Sequence, residues 1–164
     1  MLNRQRAVKF ALPPLRAFLQ TIRQGLHLQD SQCVICFVTD AEIARMNQAF
    51  RKKPGPTDVL SFPAPPPAKA RRAAKSAAVK LASTARKTPI QEDYRAGDSR
   101  YLGDIAISPA TARRNAAKFG RTLPAELRIL MLHGVLHLLG YDHETDHGEM
   151  NRLEAKLRRR FGLS

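Results

Sequence analysis

Four of the five histidines in this chain lie between positions 133 and 147, and three of them, His133, His137 and His143, have a spacing suited to holding a metal. On a helix, residues four apart share a face one turn from each other, so the imidazoles of His133 and His137 can converge on one ion. Gly140 then ends the helix. Glycine adopts positive φ without a Cβ clash, so the chain can turn back and Tyr141-Asp142-His143 can return a third imidazole to the same point. Three protein ligands leave one position of a tetrahedron open to water or substrate, which is the arrangement of a catalytic zinc and not of a closed structural one. The expectation is one Zn2+ per chain, at the end of a central helix. Asp142 is a candidate to orient a ligand ring through its other N–H, or to cap the turn. Asp58 and Asp104 could do the same or simply cap strand ends, and His147, a possible fourth ligand, is expected to face solvent or support the site from outside.

The spacing matches the zincin pattern H-E-x-x-H-x-x-G-x-x-H at the glycine and the third histidine, but Gly134 stands where a zinc protease carries glutamate. Glycine has no proton acceptor, so the base that peptide hydrolysis needs beside the metal is missing. The expectation is that Gly134 instead leaves room for a bulky phosphodiester at the metal. Cys33 and Cys36 are a weak competing metal or redox motif. In a strand, residues three apart point to opposite faces, so the two thiols are expected to be separate, buried and structural.

Charge indicates the class of partner. The 28 Lys plus Arg against 14 Asp plus Glu give a net +14, more than solubility requires, and favour a polyanion. Membrane headgroups would attract such a chain, but they are usually met by an amphipathic helix with exposed aromatics, and only 6% of residues here are aromatic, with no Trp. Nucleic acid is favoured. No run of apolar residues is long enough to span a bilayer, and the first residues, cut by Pro13, Pro14 and Arg16, do not form a signal-peptide apolar core. With two cysteines and no disulfide framework, the chain reads as cytoplasmic.

The elements that must position these groups can be sketched from periodicity. Residues 6 to 12, with Val8, Phe10 and Leu12 in alternation, are expected to form a short first strand. Pro13 and Pro14 then open a helix with Leu15, Phe18, Leu19 and Ile22 on one face. Cys33 to Val38 is a continuous apolar run expected as a buried strand, followed by a helix that Thr39 and Glu42 start as a capping box. Asp58 to Phe62 and Leu102 to Ile107 read as strands that pair, and Ser108 and Pro109 start a further helix. Between those strands lies an Ala/Pro/Lys/Arg-rich insertion at about 64–100. Its residues 64 to 91 carry seven basic side chains and no acidic one, so the rest of the chain keeps +7. It reads as a solvated loop or a basic arm for nucleic acid. Pro124 to Leu139, apolar on most of their surface, predict a central helix, and Glu149 to about Phe161 an amphipathic last one. At 164 residues the whole is expected to be a single domain.

The run His133-Gly-Val-Leu-His137-Leu-Leu-Gly140-Tyr141-Asp142-His143 resembles the signature of the YbeY family of bacterial rRNA-maturation endoribonucleases. The resemblance extends to Asn47-x-x-Phe50-Arg51, to Pro56-Thr57-Asp58-Val59-Leu60-Ser61-Phe62-Pro63 and to Leu102-Gly103-Asp104-Ile105-Ala106-Ile107-Ser108. It implies an α+β fold in which a mixed four-stranded sheet packs with about five helices. It also implies a zinc site of His133, His137 and His143, with Arg51 and His133 as catalytic residues. The implied activity is that of a zinc-dependent, single-strand-specific endoribonuclease acting in 16S rRNA 3′-end maturation and ribosome quality control, with an rRNA precursor or the small ribosomal subunit as partner. Arg51 would brace the phosphate with its two-pronged guanidinium. Lys52, Lys53, Arg71, Arg72 and Lys75 are the further RNA-binding candidates. The alternative is a non-catalytic, zinc-containing RNA-binding factor of ribosome assembly.

Overall fold

A computed structural model describes residues 1–64, 100–143 and 146–163. Their order is β1 (Leu2–Asn3), α1 (Leu12–Gly25), β2 (Ser31–Phe37), α2 (Asp40–Arg51), β3 (Val59–Pro63), β4 (Arg100–Ile107), α3 (Pro109–Lys118), α4 (Leu123–Leu138) and α5 (Glu149–Arg160). The four strands form one mixed sheet in the order β1-β2-β4-β3, with β1 and β4 parallel to β2 and β3 antiparallel to β4. This is the single-domain α+β arrangement expected, with five helices among the described residues. No described helix is long and apolar enough to cross a membrane.

The period-2 alternation of the strands separates two cores. Ile35, Phe37, Ile105 and Ile107 face a large cluster closed by α1, α3, α4 and α5, and all four are fully buried. The opposite face meets α2 in a smaller cluster of Val38, Ile43, Leu60 and Ala106, flanked by Cys36, Met46 and Phe62. Cys33 packs on the large cluster and Cys36 on the small one, so the two thiols lie on opposite faces of β2 as expected. Both are partly and not fully buried, because each sits at the margin of its cluster, and that partial burial raises the pKa of each thiol.

Start signals read from the sequence operate as expected. Thr39 Oγ1 accepts from the Glu42 N–H at 3.2 Å while the Glu42 carboxylate accepts from the Thr39 N–H at 3.0 Å, a complete capping box. The Ser108 hydroxyl accepts from the Thr111 N–H, with Pro109 at the first helical position. The Ser108 hydroxyl also donates to Asp40, which accepts from Thr111 and Arg114 as well, so the starts of α2 and α3 are tied together.

The expected strand over residues 6 to 12 does not form; the first strand is Leu2–Asn3, paired with Cys36 and Phe37. The alternation there is real, but it reports packing and not pairing. Val8 is 4% exposed, and the Phe10 ring meets Phe37 edge to face at 4.8 Å. The Val8 backbone is satisfied by the buried Gln5 side chain, whose Oε1 accepts its N–H at 2.9 Å and whose Nε2 donates to its carbonyl at 3.0 Å. A side chain has taken the place of a neighbouring strand, and Leu12 already belongs to α1. The basic insertion, including Arg71, Arg72 and Lys75, lies almost wholly outside the described residues. Its flanks are close together, since the Ala64 N–H donates to the Leu102 carbonyl at 2.8 Å.

Candidate metal centre and its cleft

The central helix α4 carries His133 and His137 to one wall of a cleft of about 610 Å³. Its end is a Schellman turn: Gly140, at φ 88°, donates to the His137 carbonyl at 3.0 Å, and Tyr141 donates to the Leu136 carbonyl at 3.1 Å. The reversal returns His143 to the same wall. The ring centroids lie 4.7 Å (His133–His137), 5.4 Å (His133–His143) and 5.2 Å (His137–His143) apart. Their available nitrogens all lie within 4.8 Å of one another, and the two helix-borne Nε2 atoms are 3.1 Å apart. Two imidazole nitrogens at about 2.0–2.1 Å from one zinc in a tetrahedron stand roughly 3.4 Å apart. The observed spread brackets that separation, so the three side chains could hold one metal ion.

Electrostatics favour the ligand state. Burial, followed by the charges of His133 and His143, lowers the pKa of His137, which keeps its imidazole neutral and able to donate a lone pair. His133 is held from behind. Its Nδ1 lies 2.9 Å from Oε2 of Glu154, and the other oxygen of that carboxylate accepts from Arg158 at 2.8 Å. Burial works to raise the Glu154 pKa, but the hydrogen bond and charge of His133, together with Arg158, bring it below its ordinary value. An ionised Glu154 is an acceptor only, so the Nδ1–H of His133 donates to it and the ring turns its Nε2 toward His137.

Glu154 was missed by the sequence reading, which looked to Asp142 for this role. The signal was nonetheless present: Glu154 lies between Met150 and Leu157 on the buried face of α5, and a carboxylate on an apolar seam requires a partner. Asp142 lines the cleft, and its charge opposes the lowering of the His137 pKa. Asp58 is committed to the backbone and its surroundings, accepting from the Val59 N–H at 2.8 Å and from Asn115 at 3.0 Å. Asp104 accepts from the Tyr101 hydroxyl. His147 is exposed.

Gly134 requires a correction. A Cβ placed on it would meet Ile105 Cγ2 at 2.8 Å and Cδ1 at 2.9 Å, so its open side faces β4 and not the cleft. Its absent side chain lets the helix lie close on the sheet and makes no room for a phosphodiester. Helix rotation explains this, because one residue past His133 points about 100° away from it.

The opposite wall comes from β3 and the end of α2. Arg51 is the last residue of α2, exposed and facing the cleft that holds the histidines. The loop after it is pinned by buried Asn47, whose Nδ2 donates to the Gly55 carbonyl at 3.0 Å, and Ser61 of β3 donates to the Gly134 carbonyl at 3.3 Å. Lys52 and Lys53 are exposed beside Arg51, outside the residues that line the cleft. Lys52 adopts a left-handed conformation, with Nζ donating to the Ala49 carbonyl at 2.9 Å, and so closes the helix end.

Comparison with known proteins agrees with this architecture. The family model described as Endoribonuclease YbeY matches residues 3–162. The endoribonuclease YbeY of Solibacter usitatus is 43% identical over 124 residues, covering 76% of this chain and 62% of that protein, so the match spans less than two thirds of its length. That of Geobacter metallireducens is 32% identical over 162 residues, covering 98% of this chain and 91% of its own. The solution structure of TM1509 from Thermotoga maritima is similar at a TM-score of 0.57 and 25% identity, over 98% of this chain and 87% of that one. The chain belongs to the endoribonuclease YbeY family, whose members are RNA-cleaving hydrolases.

Proposed function

We propose that this chain is a zinc-dependent endoribonuclease specific for single-stranded RNA. Its place would be the cytoplasm, in 16S rRNA 3′-end maturation and ribosome quality control, with an rRNA precursor or the small ribosomal subunit as substrate. The observation that carries the reading is the convergence of three imidazoles in a cleft whose opposite wall presents Arg51. His133, His137 and His143 would hold the ion, one per chain, and once bound it would supply Lewis acidity toward a phosphodiester and hydroxide near neutral pH.

The protein's own groups do the rest. Glu154 keeps the His133 ring oriented, with its Nε2 turned inward. Arg51, across the cleft, binds two phosphate oxygens and neutralises the charge that grows as the bond breaks. The chain's net +14 draws a polyanion to the cleft. Zinc-loaded wild type should cut single-stranded RNA, and a folded His137→Ala protein should not. A nuclease-free, zinc-loaded preparation that binds RNA without cutting it would instead support the non-catalytic assembly factor.

A further inference from the structure

Phe50 is the most exposed large apolar side chain among the described residues, with 69% of its area open, and it stands on the rim of the cleft in the last turn of α2. The other exposed aromatics have visible partners. Phe119 lies under the cations of Lys118 and Arg121, at 5.8 Å and 5.2 Å, and Tyr101 gives its hydroxyl to Asp104. The Phe50 ring is held in place: it meets Phe62 at 4.9 Å between centroids and 71° between planes, and Phe62 is paired to Asp104 within the sheet. A T-shaped contact engages a face or an edge of a ring and leaves the remaining π surface available. Arg51 follows directly in sequence and lines the same cleft, with Lys52 and Lys53 beyond it.

A fixed, exposed aromatic face beside a row of cations is the combination that binds single-stranded nucleic acid, with bases stacked on the ring and phosphates drawn to the cations. We infer that Phe50 is a base-stacking residue of this cleft, receiving the face of an unpaired nucleobase that flanks the phosphate lying between Arg51 and the histidines. The inference rests on the RNA-cleaving reading above and deepens it. It gives preference for single strands a physical origin, because both faces of a base inside a duplex are covered by its neighbours. Such a base reaches Phe50 only after being unstacked.

The test is a scan of short single-stranded RNA oligonucleotides in which one nucleotide at a time is abasic, presented to the zinc-loaded protein, with Kd and cleavage both measured. Wild type should show one position, or two adjacent ones, where removing the base weakens binding about 5- to 150-fold, the range of one lost stacking contact. Phe50→Leu should weaken intact RNA by a similar factor while kcat changes little, and should no longer distinguish abasic from intact RNA at that position. Phe50→Trp should retain the distinction. A flat scan with wild type, or losses from Phe50→Leu and the abasic site that multiply at every position, would overturn the inference. If wild type shows the stacking position yet cuts nothing, the nuclease reading fails and the inference stands; if it binds no RNA, both fail.

Discussion

The two walls of the cleft are built in different ways. The histidine wall is rigid from behind: α4 lies close on the sheet, Gly140 closes the helix end, and Glu154 with Arg158 fixes one ring. The facing wall ends in exposed side chains, with Phe50 and Arg51 at the end of α2, supported by buried Asn47 and by strand β3. This contrast suggests a division of labour in which one wall holds an ion in fixed geometry and the other meets the substrate. Changes on the substrate wall should therefore spare metal binding, and changes behind the histidine wall should act through it.

The largest effect expected on the substrate side is that of Arg51→Ala, which should lower the cleavage rate by roughly 10²-fold or more, the loss typical of a removed oxyanion donor. Zinc content and melting temperature should stay near those of wild type. Arg51→Lys should restore the charge but only part of the rate, since the forked geometry is lost. Loss of RNA affinity with an unchanged rate at saturating RNA would make Arg51 a substrate holder only.

Behind the other wall, Glu154→Gln should reduce zinc affinity by about 10- to 100-fold, because the ring of His133 would lose its charged acceptor. Competition against a chelator measures this directly, and unchanged affinity would remove Glu154 from the account. On the hidden face of the same helix, Gly134→Ala should lower stability by about 1–3 kcal/mol through overpacking against Ile105. Denaturant unfolding reads it, and an unaltered midpoint would show that α4 can move off the sheet at little cost.

Acidification provides a fourth test, with a definite sign. The His137 pKa lies below 6.5 in the metal-free fold, so the unfolded chain binds more protons in that range. Stability of the metal-free protein should therefore fall as pH drops below about 6.5 and continue to fall until the folded-state pKa has been passed. Zinc affinity should weaken in the same direction, because protons compete for the ligand nitrogens. Melting curves and zinc titrations between pH 7.5 and about 5 would show both; a pH-independent melting temperature would contradict the burial of this imidazole.

What could be read in advance depended on whether the signal was local. His133, His137 and Gly140 were legible because helix periodicity and a left-handed glycine are properties of adjacent residues, and the Thr39–Glu42 box and Ser108-Pro109 were legible for the same reason. Gly134 and Glu154 depended on what packs across from them. The direction of the one is set by Ile105 on β4, and the role of the other by a histidine 21 residues away in sequence. The missing strand over residues 6 to 12 belongs with these: alternation correctly marked Val8 and Phe10 as inward-facing, while the pairing it implied was taken by a single glutamine side chain.

The central claim, that the histidine wall holds the ion and the facing wall does not, is tested most directly by measuring zinc per chain in folded wild type, Arg51→Ala and His137→Ala proteins exposed to the same zinc buffer. The division of labour predicts about one zinc in the first two and well below one in the third, where only two of the three ligands remain. A full complement in His137→Ala, or none in wild type, would contradict it.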